Sequence, residues 1–183
     1  MSKLLILDKD QTLIRSRLGG DNYIQKPWDQ APICGWSEVL YTYLRDDYKI
    51  VIASNQGGVE KGFKSIESAI LEMQYCLELF PQISEAFFCP DFAGKKCYRI
   101  WGNNSEEEMI IYDEDSWETK HKIGIEQYRK PKPGMLLLAM LIHGIAKDDT
   151  IFVGDRDSDK EAAAAAGVRY YHRDEFLVFQ ASE

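Results

Sequence analysis

The chain has 183 residues, of which 45% are hydrophobic and 28% are charged, and its formal net charge is −8. This length suits one compact domain, and the composition excludes disordered and fibrous classes. The negative charge argues against a general nucleic-acid-binding surface, because a phosphate backbone demands a basic stripe. We expect a cytoplasmic protein, since the sequence shows neither a membrane-spanning run nor a signal-peptide pattern.

Strands and helices alternate in the first half of the chain. The aliphatic run at 3–7 predicts a buried strand, which a polar loop follows as far as Gly35. Apolar residues at helical spacing over 36–44 predict a helix, and the run at 48–53 predicts a second strand. An amphipathic helix over 66–80 comes next, with Ser65 as its N-cap.

The same alternation continues in the second half, after a predicted third strand at 86–89. Residues 91–128 carry acidic runs, and we expect them to form an irregular insertion over or beside the active edge. A helix beginning at Pro133, a strand at 150–153, an alanine-rich helix at 159–166 and a last strand at 168–171 follow. The pattern predicts an α/β fold, a Rossmann-like three-layer α/β/α sandwich with a central parallel sheet, as a single domain over 1–183.

Clustered carboxylates follow two of the predicted buried strands. Asp8 and Asp10 come directly after the first strand, and Asp155 and Asp159 come after the strand at 150–153. Carboxylates at the end of a buried strand are costly unless they bind something. Because parallel strands end at a common edge, the sequence predicts one shared cation site there.

Four segments resemble motifs of the haloacid-dehalogenase (HAD) phosphohydrolases. The segment DKDQT at 8–12 resembles the nucleophile motif DxDxT, and Ser54 follows the second strand as the second motif requires. The segment RKPKPGM at 129–135 resembles the RKPxPGM signature of the histidinol-phosphate and heptose-bisphosphate phosphatase branch, and GDRDSD at 154–159 is similar to GDxxxD. Together they imply a HAD-like fold with a minimal cap and a phosphatase activity.

The resemblance implies a role for each matching residue. Asp8 is the expected nucleophile, which forms an aspartyl-phosphate, and Asp10 protonates the leaving oxygen and then activates water. Ser54 and Lys130 are expected to hold the phosphoryl oxygens. Mg²⁺ is the expected cofactor, held by Asp8, by the backbone carbonyl of Asp10 and by Asp155.

Further residues are expected to support the site or to bind substrate. Asp159 is expected to support Lys130 or the metal shell, and Thr12 to brace the turn of the first motif. The resemblance also implies substrate contacts for four residues, although Arg156 has an alternative interpretation as a surface charge: Thr12, Asn55, Arg129 and Arg156.

The chain departs from the family pattern at two places. Gln11 stands where the family has glycine, so the turn after Asp10 lacks the conformational freedom of glycine. Heptose-bisphosphate phosphatases often carry a zinc loop of CxH followed by CxC just before RKP, and four such ligands cannot be assembled here. Unliganded thiols are therefore expected, in preference to a zinc site from Cys89, Cys97 and His121.

Three functions remain open at this stage. The first is a small-molecule phosphatase acting on a sugar, polyol or amino-alcohol phosphate or bisphosphate, with no membrane partner. The second is a polynucleotide 3′-phosphatase, whose partner is a nucleic acid end, because those domains share these motifs. The third is a non-catalytic HAD-fold binding protein. Five basic residues are candidates for binding a second phosphate, and the alternative for each is a solvated surface charge: Arg15, Arg17, Lys26, Lys61 and Lys64.

Overall fold

The computed structural model describes residues 2–19, 23–24, 26–102, 109–115 and 124–180. Helices lie on both faces of a central sheet. The strands are β1 (Lys3–Leu7), β2 (Ile14–Ser16), β3 (Gln30–Pro32), β4 (Tyr48–Asn55), β5 (Glu85–Cys89), β6 (Lys96–Trp101), β7 (Met109–Asp113), β8 (Thr150–Gly154) and β9 (Arg169–His172). The helices are α1 (Trp36–Arg45), α2 (Ile66–Leu79), α3 (Gly134–His143), α4 (Asp157–Ala166) and α5 (Arg173–Gln180).

The main sheet has seven strands in the order β7-β6-β5-β4-β1-β8-β9. Five neighbouring strands are parallel to one another, namely β5, β4, β1, β8 and β9. The strands β6 and β7 extend the sheet beyond β5 and are antiparallel to their neighbours. Along the chain, β4 and β5 follow β1 on one side of it in the sheet, and β8 and β9 lie on the opposite side of β1. The strand order therefore reverses beside β1, and such a reversal is where open α/β sheets bind ligands.

Alternation along β1 explains why its residues form a strand that is buried on both faces. Leu5 and Leu7 pack into the core beneath α1, α2 and α5, whereas Leu4 and Ile6 pack into the core that includes α3 and α4. All four side chains are fully buried. A continuous apolar run is therefore needed, since successive strand residues point to opposite faces. The predicted Rossmann-like three-layer sandwich is confirmed.

The region 91–128 is more regular than the sequence predicted. Residues 96–101 and 109–113 form β6 and β7, which pair with each other and with β5. The rings of Phe88 and Tyr98 stack across the β5–β6 pair with their centroids 5.0 Å apart. The expectation of an irregular segment is corrected at these two strands, because they depend on partners that are distant along the chain. The helix α5 was also not predicted.

A small hairpin of β2 and β3 stands between β1 and α1. The Ser16 hydroxyl donates to both carboxylate oxygens of Asp29, at 3.1 and 3.0 Å, and ties the base of this hairpin. Arg17, considered for substrate binding, instead donates from Nε to the carbonyl of Gln30 at 3.0 Å. Among the described residues of this segment the hairpin is the only element over the active edge, consistent with a minimal cap.

All four cysteines have free thiols, and none of them forms a disulfide. Cys89 and Cys97 are buried on the neighbouring strands β5 and β6. His121, the remaining residue of the zinc alternative, lies outside the described residues. Within the described ranges, no helix has both the length and the apolar character needed to cross a bilayer.

Candidate active site

Three parallel strands deliver the predicted residues to one edge of the sheet. Leu7 is in register with Ile52 of β4 and with Val153 of β8. The next residue along, Asp8, donates its backbone N–H to the carbonyl of Val153 at 2.9 Å. The segments that follow β1, β4 and β8 therefore meet, and the structure brings together the residues that the sequence placed at these strand ends.

Lys130 lies at the centre of this edge and is almost fully buried. Its Nζ donates to Asp8 Oδ1 at 2.6 Å and to the carbonyl of Ala53 at 2.8 Å, and it lies 2.7 Å from Asp159 Oδ1. Burial alone would lower the pKa of Lys130, but the carboxylates of Asp8 and Asp159 raise it above its ordinary value. Lys130 is therefore charged, and Asp159 is one of the two carboxylates that pair with it.

Asn55 fixes the backbone at Lys130 from both sides. Its Nδ2 donates to the Lys130 carbonyl at 2.9 Å, and its Oδ1 accepts from the Lys130 N–H at 3.0 Å. Both hydrogen-bonding groups of the side-chain amide are engaged in this contact. The substrate contact that the resemblance implies for Asn55 stays a prediction, whereas the structure gives it a positioning role.

Three carboxylates crowd around the Lys130 ammonium. Asp8, Asp155 and Asp159 each offer an oxygen within 4.8 Å of the others. We call these three residues and Lys130 the Asp8 cluster. Burial, together with Asp159 and Asp10 nearby, raises the pKa of Asp8 to about 7 in spite of Lys130. Burial also raises the pKa of Asp155. One lysine balances only part of this negative charge, and carboxylate oxygens are the ligands that Mg²⁺ prefers, so the donor set fits that cation.

Asp10 has a different environment. Lys9 Nζ donates to its Oδ1 at 2.8 Å, and Gln56 Nε2 donates to its Oδ2 at 2.9 Å. Burial opposes ionisation, but these partners and Lys64 outweigh it and lower the pKa of Asp10. Gln56 Nε2 also donates to Ser54 Oγ at 3.0 Å, which connects Asp10 to the end of β4.

The turn of the first motif retains a glycine-like backbone although residue 11 is glutamine. Gln11 has a φ of +64°, in the left-handed region. Its N–H donates to the carbonyl of Ile14 at 2.8 Å, and its own carbonyl accepts from Arg173. Thr12 is fully buried beside this turn and donates to Asp155 Oδ1 at 3.2 Å. The expected bracing role of Thr12 thus has a specific partner, and its predicted substrate contact stays a prediction.

A cleft of about 930 Å³ opens from the site and carries positive charge on its wall. Besides Asp8, Asp10 and Lys130, the lining includes five cationic side chains: Arg15, Lys61, Lys64, Arg129 and Arg156. The Arg129 guanidinium lies 4.4 Å from the centroid of the Phe92 ring, and Lys61 Nζ lies 5.3 Å from it. Such contacts hold cations by attraction to the ring face.

Gly57 provides the space that this arrangement of Arg129 requires. A Cβ at position 57 would lie 3.0 Å from a guanidinium nitrogen of Arg129 and 2.9 Å from the Phe92 ring. A side chain at this position would therefore displace one or both groups. Arg156, in contrast, is mostly exposed, with its Nε 4.0 Å from Asp155 Oδ2.

Sequence reasoning missed four residues of this site, namely Lys9, Gln56, Glu72 and Phe92. Lys9 and Gln56 lie next to the predicted residues Asp10 and Asn55, but the motif resemblance implies no role for either of them. Glu72 carried a detectable signal, because its spacing from Ala69, Met73 and Cys76 places a carboxylate on the apolar face of α2. Phe92 carried no local signal.

Comparisons with known proteins agree with this geometry. A family model described as HAD-hydrolase-like matches residues 127–171. The D-glycero-beta-D-manno-heptose-1,7-bisphosphate 7-phosphatase of Pseudomonas putida is 25% identical over 173 residues, which cover 91% of this chain and 79% of the relative. The enzyme of the same name from Vibrio cholerae is 28% identical over 150 residues, covering 80% and 69%.

Solved structures show the same fold. The D,D-heptose 1.7-bisphosphate phosphatase from B. bronchiseptica, complexed with magnesium and phosphate, superposes with a TM-score of 0.66 at 20% identity and covers 97% of this chain and 86% of its own. A putative HAD-like phosphatase from Mesorhizobium loti gives a TM-score of 0.61 at 20% identity, covering 91% and 69%.

In its fold, in the order of its four motifs and in these matches, the chain is similar to HAD-like hydrolases. The relatives that it matches are named as phosphatases, and the chain is a phosphatase.

Proposed function

We propose that the chain is a Mg²⁺-dependent phosphomonoester hydrolase for a small phosphorylated sugar that carries a second anionic group. One observation carries this proposal. The cleft that contains Asp8, Asp10 and Lys130 also contains a cationic wall, including Arg129 and Lys61. A single small ligand with two anionic groups can therefore contact both parts at once.

Asp8 is the proposed nucleophile. Its carboxylate attacks phosphorus, the bond from phosphorus to the ester oxygen breaks, and an aspartyl-phosphate forms. The protonated form of Asp10, which is the minor form at neutral pH because Lys9 lowers its pKa, gives its proton to the departing oxygen; Asp10 then takes a proton from the water that hydrolyses the aspartyl-phosphate, so the acid is restored. Lys130 and Ser54 hold the phosphoryl oxygens, and the Lys130 charge favours the negative charge that develops there.

Mg²⁺ would be held by Asp8 and Asp155, with the backbone carbonyl of Asp10 as a further ligand, and Asp159 lies close enough to join or to support this set. When bound, the ion supplies Lewis-acid neutralisation of the charges that keep a carboxylate and a phosphate apart. The three crowded carboxylates, which one lysine balances only in part, support this assignment.

A sugar bisphosphate is the proposed substrate class. The relatives from Pseudomonas putida and Vibrio cholerae are named as phosphatases of heptose bisphosphates. In this chain the Arg129 guanidinium, seated against Phe92, is the proposed contact for the second anionic group. Arg156 is proposed to contribute at the exposed end of the cleft, where its side chain can move toward a ligand.

The test is phosphate release in the presence of Mg²⁺ from sugar monophosphates, sugar bisphosphates, histidinol phosphate, nucleotides and 3′-phosphorylated oligonucleotides. We expect the highest kcat/KM for a sugar bisphosphate. Asp8→Asn should lose at least about a thousandfold in kcat, as expected for a missing nucleophile. Arg129→Met should raise KM for the bisphosphate about tenfold or more and leave the KM for a monophosphate nearly unchanged.

Other outcomes would overturn this proposal in different ways. Preferred turnover of the 3′-phosphorylated oligonucleotide would establish the polynucleotide 3′-phosphatase instead. Undiminished activity in Asp8→Asn would contradict the mechanism. Binding of Mg²⁺ and sugar bisphosphate without turnover would favour the non-catalytic binding protein.

A further inference from the structure

Asp10 belongs to a closed ring of polar side chains, and the reaction steps above use none of the other four members. Starting at Asp10, the ring runs through Lys9, Glu72, Lys64 and Gln56, and back to Asp10; we call it the Asp10 ring. Lys64 Nζ donates to the Glu72 carboxylate at 2.8 and 2.6 Å and to Gln56 Oε1 at 3.2 Å. Lys9 Nζ lies 3.9 Å from Glu72 Oε2 and closes the ring through its bond to Asp10.

The Asp10 ring is buried at its back, at Lys9 and Glu72, and borders the cleft at Asp10, Gln56 and Lys64. The side chains of Lys9 and Glu72 are fully buried, whereas one third of the Asp10 side chain is exposed. The ring contains two cations and two carboxylates, so its formal charges cancel. It therefore needs no further ion, in contrast to the Asp8 cluster.

The contacts fix the Asp10 carboxylate in position and orientation. One oxygen accepts from Lys9 and the other from Gln56, so neither rotation about the side-chain bonds nor a shift along the cleft leaves both bonds intact. Glu72 is on α2, which packs against the sheet, and it anchors Lys9 and Lys64 from that rigid element. A carboxyl group that transfers a proton must lie within hydrogen-bond reach of its partner, and a displacement of about 1 Å can cost roughly a hundredfold in rate.

We propose that Lys9 and Glu72 are positioning residues that hold the Asp10 carboxylate where it can protonate the leaving oxygen. This inference rests on the proposed function, because it assumes that Asp10 is the proton donor. Its effect on the leaving-group step is measured by kcat/KM, which does not include hydrolysis of the aspartyl-phosphate, and it predicts no change in how the phosphoryl group is bound.

The test compares wild type and Lys9→Met on aryl phosphates whose leaving groups differ in pKa. Phenolates that leave easily, such as p-nitrophenolate, need little protonation, whereas poor leaving groups need the acid. In Lys9→Met we expect kcat/KM to fall about tenfold to a hundredfold for phenyl phosphate and less than about threefold for p-nitrophenyl phosphate. Because Asp10 also activates water, a slower hydrolysis of the aspartyl-phosphate lowers kcat for both substrates alike and does not enter this comparison. Equal losses of kcat/KM on the two substrates would overturn the proposal.

A second variant separates positioning from folding. Lys9→Met removes one positive charge from a buried ring, whereas Lys9→Met/Glu72→Gln restores the balance of charges. We expect the double variant to recover most of the Tm that the single variant loses and to keep its low kcat/KM on phenyl phosphate. Recovery of kcat/KM together with Tm would show that Lys9 acts on stability alone.

This design does not depend on the sugar specificity. If wild type hydrolyses the aryl phosphates with the expected dependence on Lys9 but no sugar phosphate, the proposed substrate class is wrong and the positioning role remains. If the leaving-group dependence of Lys9→Met equals that of wild type while sugar bisphosphates are hydrolysed, the positioning role alone is overturned.

Discussion

The two groups of charged residues that flank the first motif differ in their balance of charge. The Asp8 cluster places three carboxylates around one ammonium group. The Asp10 ring places two carboxylates and two ammonium groups in a closed circuit, completed by Gln56. Both groups are largely buried, and they are joined through consecutive residues of one turn.

This difference in charge distinguishes the Asp8 cluster, which favours binding of a cation, from the Asp10 ring, which supports the site structurally. Buried charges are stable when they are paired, so the balanced ring can be a permanent part of the fold. The excess negative charge of the Asp8 cluster persists only because it is exposed to a cleft that can receive a cation. Burial first, and then the neighbouring carboxylates of Asp159 and Asp10, raise the pKa of Asp8 to about 7, whereas Lys9 and Gln56 help to lower the pKa of Asp10.

The largest expected effect on stability comes from Lys130→Met, which removes the single cation of the Asp8 cluster. Removing one partner of a buried ion pair costs about 3–5 kcal/mol, and here two carboxylates lose their partner. Lys9→Met should cost less, because Lys64 still pairs with Glu72 and Gln56 still donates to Asp10. Urea unfolding of the two variants measures the difference, and an equal or larger loss in Lys9→Met would contradict it.

An intermediate effect is expected from Mg²⁺. A cation that binds only the folded protein raises its stability by about 2.7 kcal/mol at a hundred times its Kd, or roughly 5–10 °C in Tm for a chain of this size. Asp155→Asn should abolish most of this shift. Glu72→Gln, which removes a carboxylate from the Asp10 ring, is the matched control and should retain it.

Thermal denaturation with and without Mg²⁺ measures both variants. Loss of the shift in Glu72→Gln would show that the two charge groups do not function separately. Retention of the full shift in Asp155→Asn would place the ion elsewhere.

The smallest expected effect is that of Gln11→Gly. Glycine relieves the left-handed backbone at this position, worth about 1 kcal/mol, but loses about as much through its greater freedom in the unfolded chain. We therefore expect a Tm within about 3 °C of wild type and kcat within about twofold. A large gain in kcat would show that glutamine at this position limits the reaction.

Much of the fold was predictable because its signals are local. The run at 3–7, the helix over 66–80 with Ser65 as its N-cap, and the helix that ends at Gly167 all appear in the structure close to the predicted bounds. The strands β6 and β7 were not predicted, because their pairing with β5 supplies the order that their own sequence pattern does not indicate.

The sequence by itself determined which residues stand at the strand ends, since DKDQT, Ser54, RKPKPGM and GDRDSD each follow or precede a recognisable element. Tertiary structure alone decided how they are connected. The Asn55 amide holds the Lys130 backbone across 75 positions, and Glu72 reaches Lys9 from a helix on one face of the sheet. Such contacts depend on the packing of separate elements, so the spacing of residues along the chain does not reveal them. Only the tertiary structure shows that Asp10 lies in a charge-balanced ring, whereas Asp8 lies in a cluster that favours a cation.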